Sequence, residues 1–167
     1  MLDPFKHLGA AYESIGENAY ALKFVYDAAI QIIKDHSNQI DKAEISELYK
    51  HFLQRAKAIT HAAVMQITNT RNMSADETRL VTRAKSYDED LISIAEQEYG
   101  DQSSEYAAAH MDKVRTLVAI CHEDSQEIID SLEIAIEAEK AALEKLQKKG
   151  PSSLLLRIQI YKGTIFW

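Results

Sequence analysis

Six histidines and one cysteine are the side chains of this 167-residue chain best suited to holding a metal or attacking a substrate. A metal site needs three or four converging ligands, and Glu47 with His51, four apart on one helix face, supplies only two. No His-Glu-x-x-His or Glu-x-x-His spacing accompanies them. The pair reads as a solvated helix face, so no metal and no cofactor are expected. Cys121 sits in an apolar register, and its neighbour His122 cannot face it on a helix. It reads as a small core residue rather than a nucleophile. A lone cysteine also excludes an internal disulfide and a cysteine-rich zinc site. Glycine-rich phosphate loops and nucleophile-elbow motifs are missing. The chain is expected not to be an enzyme.

The elements that carry these residues are helices. With 5 Gly and 2 Pro in the chain, there is too little punctuation for a fold of many short strands. Asp3-Pro4 reads as an N-cap followed by proline at the first helical position, and Gly16 suits a left-handed helix end. A second helix is expected over about 17–36, with Tyr20, Ala21, Phe24, Ala28 and Ile32 as its apolar side. Capping boxes stand at Asp41-x-x-Glu44, Ser74-x-x-Glu77 and Asp124-x-x-Glu127. Behind the first, Ile45, Leu48, Phe52, Leu53, Ala56, Ile59, Ala63, Val64 and Ile67 step by three and four. Behind the second come Leu80, Val81, Ala84, Tyr87, Leu91, Ile94 and Ala95, ending at Gly100. Residues 103–121 carry Tyr106, Val114, Leu117, Val118 and Cys121. The third box opens a helix with Ile128, Ile129, Leu132, Ala135, Ile136, Leu143 and Leu146 inward, closed by Lys145, Lys148, Lys149 and Gly150-Pro151. Residues 152–167 fit a seventh helix through Leu154, Leu155, Ile158 and Tyr161, or a hairpin turning at Lys162-Gly163. Helix is the better reading, because nothing else offers a sheet to join.

Helices in pairs invite a search for repeats. Phe5-x2-Leu8-Gly9-x2-Tyr12, followed by Gly16, Ala21, Val25 and Ala28, resembles a tetratricopeptide repeat. Phenylalanine stands where that family usually has tryptophan, Val25 replaces an aromatic, and Ile33 replaces the closing proline. Ile94-Ala-Glu-Gln-Glu-Tyr-Gly100 with Ser104, Glu105 and Ala107 resembles the junction between repeats of kinesin-light-chain-like arrays. So does the stretch from Glu139-Lys-Ala-Ala-Leu143 to Gly150-Pro151-Ser152. The resemblance implies an all-α fold of antiparallel hairpins stacked as a short superhelix, with Gly9 and Ala21 letting the first two helices approach closely. An irregular helical bundle is the alternative. Residues 1–150 would form the repeat domain of about three helix pairs, and 151–167 a capping or docking segment.

The same resemblance implies a peptide-binding groove lined by helices near 4–15, 44–70 and 103–121. Its candidate partner-contacting residues are Lys6, Tyr49, Arg55 and His110. In chaperone-binding members a lysine three before the repeat glycine and an asparagine one after it clamp a carboxylate. Lys6 fits the first position and Ala10 departs from the second, so chaperone tails are not expected. Arg55-x5-His61 resembles the spacing of the HEPN family, all-helical ribonucleases whose arginine and histidine contact the scissile phosphate. There a polar residue often follows the arginine, whereas Ala56 follows here. Arg115-x6-His122 fits the same loose pattern.

Charge weighs against nucleic acid. Nineteen Lys and Arg face 26 Asp and Glu, a net −7. Residues 145–167 hold +5, which leaves −12 on residues 1–144. Binding to phosphates rests largely on basic side chains. With no secretory signal pattern and no apolar run of membrane length, a cytoplasmic protein is expected. The expected function is a non-catalytic scaffold or adaptor that binds another protein, with an acidic body suited to a basic segment. A HEPN-like ribonuclease, or a small inhibitor or immunity-type protein with one target, are the alternatives. The apolar density of residues 154–167 also points to docking on the last helical pair, in the same chain or in a homo-oligomer.

Overall fold

A computed structural model describes residues 3–36, 42–67, 72–120, 125–146 and 152–165. Among these residues it is 88% helical, and no strand occurs. Seven helices follow in order: α1 (Asp3–Ser14), α2 (18–36), α3 (Lys42–Val64), α4 (Ala75–Tyr99), α5 (Ser104–Ala119), α6 (Ser125–Lys145) and α7 (Ser153–Ile165). Residues 153–165 are therefore helix, and the hairpin alternative is excluded there. The capping boxes at Asp41 and Asp124, and Cys121, His122, Gly150, Pro151 and Trp167, lie outside the described residues.

Local chemistry sets the helix ends. Gly16 takes φ 82°, and after it the chain closes α1 with two bonds, Gly16 N–H to the Glu13 carbonyl at 3.0 Å and Glu17 N–H to that of Tyr12 at 2.9 Å. This pair of bonds is the Schellman closure, which needs a left-handed residue. Gly100, at φ 83°, closes α4 with one bond, its N–H donating to the Glu96 carbonyl at 2.9 Å, the simpler left-handed closure. At the start of α4, Ser74 N–H donates to the Glu77 carboxylate at 2.7 Å and Glu77 N–H to the Ser74 hydroxyl at 3.2 Å. Both halves of the expected capping box are made. Ser103 caps α5, accepting from Tyr106 N–H at 3.1 Å, and Ser152 caps α7, accepting from Leu155 N–H at 3.0 Å.

The chain forms two compact units, Met1–Asn69 with Met73–Tyr87, and Thr70–Asn72 with Asp88–Trp167. The division falls inside α4, and residues 151–167 belong to the second unit. In the first unit α1, α2 and α3 pack in succession. Gly9 lies against the ring of Tyr26, in the space that a Cβ would fill. The close approach expected at Gly9 is thus made to Tyr26, while Ala21 is wholly buried. In the second unit α5 and α6 form an antiparallel hairpin, tied by Lys113 to Glu127 at 3.0 Å and by Lys145 to the Gln102 carbonyl at 3.4 Å. Helix α7 packs on α6 through buried Leu155 and Ile158.

Two expectations about the core need correction. The buried residues of α2 are Ala21, Leu22, Val25, Tyr26, Ala29, Ile30 and Ile33, whereas Tyr20, Phe24 and Ile32 are exposed. The buried set repeats every four residues. A spacing of four overshoots the 3.6-residue turn by about 40° per step, and a widened π-helical stretch at Ala21–Tyr26 takes up the excess. The second correction is Leu146, expected inward, which is exposed one residue past the end of α6.

Candidate functional site

The first unit carries an exposed apolar strip with a defined order. Leu8 and Tyr12, four apart, share one face of α1, and Ile15 follows in the turn just past its end. Across the Gly16 turn, Tyr20 and Phe24 continue it on α2. Tyr12 and Tyr20 stack with centroids 6.2 Å apart and planes 19° from parallel, and Tyr20 stacks on Phe24 at 5.5 Å. The Lys23 ammonium sits 5.2 Å from the Phe24 ring centroid, an attraction between a cation and a ring face. Ile15 is 71% and Phe24 54% exposed. The strip is built on helices, so its rings are held in place before anything arrives.

Beneath the strip two carboxylates hold the helices in register. Glu13 accepts from the Tyr26 hydroxyl and from Arg55, whose Nε lies 3.1 Å away, joining α1, α2 and α3. Asp27 accepts from the Tyr87 hydroxyl and from Arg83 at 2.8 Å, joining α2 to α4. Each is a tyrosine, a carboxylate and an arginine, and in each the ionised acceptor strengthens the bonds. Burial pushes the Tyr26 phenol up from its ordinary range, so it remains a donor at neutral pH.

The residues expected to contact a partner lie in two places. Lys6, Tyr49 and Arg55 belong to the first unit, His110 to the second. Lys6 is partly exposed, 3.9 Å from Asp3. It also helps burial to lower the pKa of His51. Tyr49 is half-buried with Lys34 over its ring at 5.8 Å. Arg55 is held by Glu13. His110 is 6% exposed, with neither ring nitrogen hydrogen-bonded. Its ring meets that of Tyr106 edge-on at 4.7 Å, and burial first, then Lys113, lowers its pKa to about 4. It is a core histidine held neutral by burial, and little of its ring reaches the surface. Among the described residues, no group of three or more His, Cys, Asp and Glu could hold a metal ion.

The strip is not among the residues expected to meet a partner. Its signal was present in α2, whose apolar residues are too many for one face and form two sets, one spaced from Ala21 and Leu22, the other from Tyr20. Comparison with protein-family models, curated proteins and solved structures returns no match to this chain. No helix among the described residues is long and apolar enough to cross a membrane.

Proposed function

We propose that the chain is a non-catalytic scaffold of divergent tetratricopeptide-like hairpins that binds another protein through the strip formed by Leu8, Tyr12, Ile15, Tyr20 and Phe24. The observation that carries the reading is that α2 is apolar on two faces, one filling the core and one left in water with its rings pre-stacked. Large contiguous apolar patches mark interaction sites more often than single exposed residues do, and rigid aromatic groups are the usual anchors of such sites. The antiparallel α1–α2 pairing, Gly9 against the Tyr26 ring and Gly16 in the turn are the features of the repeat resemblance that this reading uses.

Affinity capture from the source cell, wild type beside an Ile15→Ser/Phe24→Ser variant, tests it. A protein retained by the wild type and lost by the variant supports the strip as the binding surface; one retained equally by both moves the site elsewhere. The ribonuclease reading is tested separately with labelled RNA. Cleavage that disappears in an Arg55→Ala/His61→Ala variant would sink the scaffold reading. The engagement of Arg55 by Glu13 speaks against that outcome, since the arginine is already neutralised.

A further inference from the structure

The second unit divides sharply by charge. Residues 88–139 hold fifteen acids and two bases, a net −13, whereas residues 140–167 hold six bases and one acid, a net +5. Both bases of the acidic stretch are engaged within it, Lys113 with Glu127 and Arg115 with Asp112. The excess acid is therefore not neutralised by the stretch that carries it. On α6 that excess is arranged: Asp130, Glu133, Ile134 and Glu137 follow at spacings of three, one and three, a single exposed stripe with one apolar residue among three acids. Asp130 also accepts from Gln126 at 2.6 Å.

Helix α7 carries the complementary stripe. Its inner side, Leu155 and Ile158, is buried against α6 of the same chain, and Ser152 at its start donates to the buried Glu139. Its outer side presents Leu156, 47% exposed, Ile160, 67% exposed, and Arg157 between them. Apolar groups beside a cation here match an apolar group among acids on α6. The exposed stripe of α6 and that of α7 both belong to this one chain, so a second copy offers each the surface it lacks.

We propose that two copies of the chain pair about a two-fold axis, the outer face of α7 in each lying along the Asp130–Glu133–Ile134–Glu137 stripe of α6 in the other. A two-fold arrangement makes the contact twice. Pairing α7 with the partner's α7 instead would set Arg157 against Arg157, and anionic lipid would meet the repulsion of the acidic stretch. A 13-residue helix is about 20 Å long, so the doubled contact stays small beside the roughly 1,600 Å² of a standard interface. The dimer is consequently concentration-dependent and weakened by salt, which screens the charges.

Sedimentation equilibrium of the full chain over a concentration series reads this directly. The expected mass rises from 18.9 kDa towards twice that value, with a dissociation constant that increases with salt. Arg157→Glu should raise that constant by about tenfold or more, as should Glu133→Arg/Glu137→Arg, and the two sets combined should restore it. Leu156→Ser/Ile160→Ser should leave a monomer with the wild-type helix content by circular dichroism, because both positions are exposed. A wild type that stays monomeric throughout overturns the proposal. So does a dimer that these variants leave unchanged, or a charge exchange that fails to recover pairing. Co-sedimentation of the monomer with phosphatidylserine vesicles, lost in Leu156→Ser/Ile160→Ser, would assign the face to a membrane instead and equally overturn it.

Discussion

The two units satisfy their interior polar groups in different ways. In the first, residues 1–69 and 73–87 carry ten acids and ten bases, and Glu13 and Asp27 each find both a tyrosine and an arginine. In the second, sixteen acids face nine bases, and the buried polar groups are matched only in part. Glu139 is bonded by Ser152 through one carboxylate oxygen while the other lacks a hydrogen-bond partner, and His110 has none at either nitrogen. Such groups cost free energy when buried. Arg115 pairs with Asp112 on its own helix and Arg157 is exposed on α7, so neither is placed as Arg55 and Arg83 are in the first unit, and the second relies on packing of α5 against α6 instead.

The difference can be broken most directly at the carboxylates. Glu13→Ala removes the acceptor of a buried tyrosine hydroxyl and the anchor of Arg55 together. It should cost about 2–3 kcal/mol, mostly for the unmatched Tyr26 hydroxyl, because Arg55 can turn to water. Glu139→Gln keeps an oxygen for Ser152 and replaces a charge that is only half satisfied, so it should fall within about 1 kcal/mol of wild type. Urea midpoints of the two variants test the pair. Equal losses would mean that the second unit depends on its buried carboxylate as strongly as the first.

Acid should sharpen the same contrast. His110 is held neutral, with a pKa of about 4 set by burial and then Lys113, against about 6.5 in the unfolded chain. As the pH falls below about 6.5 the unfolded chain takes up a proton that the folded one refuses, so stability drops until about pH 4 and then levels. The loss is about 2 kcal/mol after allowing for solvent screening. The pKa of His51 is also lowered, by burial and Lys6, in the same direction. His110→Leu should remove most of the slope measured by denaturation at stepped pH, and His51→Leu less of it. A slope unchanged in His110→Leu would place its origin outside the second unit's core.

A tighter test of the first unit is Gly9→Ala. The added methyl group enters the space of the Tyr26 ring, which the hydroxyl bond to Glu13 prevents from swinging away. Overpacking of this kind costs on the order of 1–3 kcal/mol. Tyr26→Leu should relieve part of it, and a double variant no more stable than Gly9→Ala alone would show that the ring is not the obstacle.

What could be read from the sequence divides along the same physical line. Helix class, the Ser74–Glu77 box and the turns at Gly16 and Gly100 rest on a few adjacent residues, and all were legible. The inward sets of α3 and α6 were largely legible as well, because each helix offers one clear stripe; Leu146 was misplaced where α6 runs out of neighbours. The Tyr–carboxylate–Arg sets were not legible. Glu13 and Arg55 are forty-two positions apart, and nothing local marks two residues as partners across a packed interface. The four expected contact residues follow from a groove implied by resemblance, and the burial of His110 shows the limit of that inference: spacing places a residue on a helix face but does not say which face meets water.

That limit is clearest in α2, where the smallest expected effect is the most informative. Reading a 3.6-residue period from Tyr20 makes Phe24 a core aromatic, and truncating one of those costs about 3–5 kcal/mol. The π-helical stretch turns the helix so that Leu22, Val25 and Tyr26 fill the core and Phe24 stacks on Tyr20 in water. Phe24→Ala should then change stability by no more than about 0.5 kcal/mol, the usual range for surface positions, with a little of that from the lost Lys23 contact. A loss of core size would mean that the π-helical stretch does not persist in solution and that the two faces of α2 have exchanged roles. A near-zero loss in stability, together with weakened capture of a partner by the same variant, would separate folding from binding at a single residue.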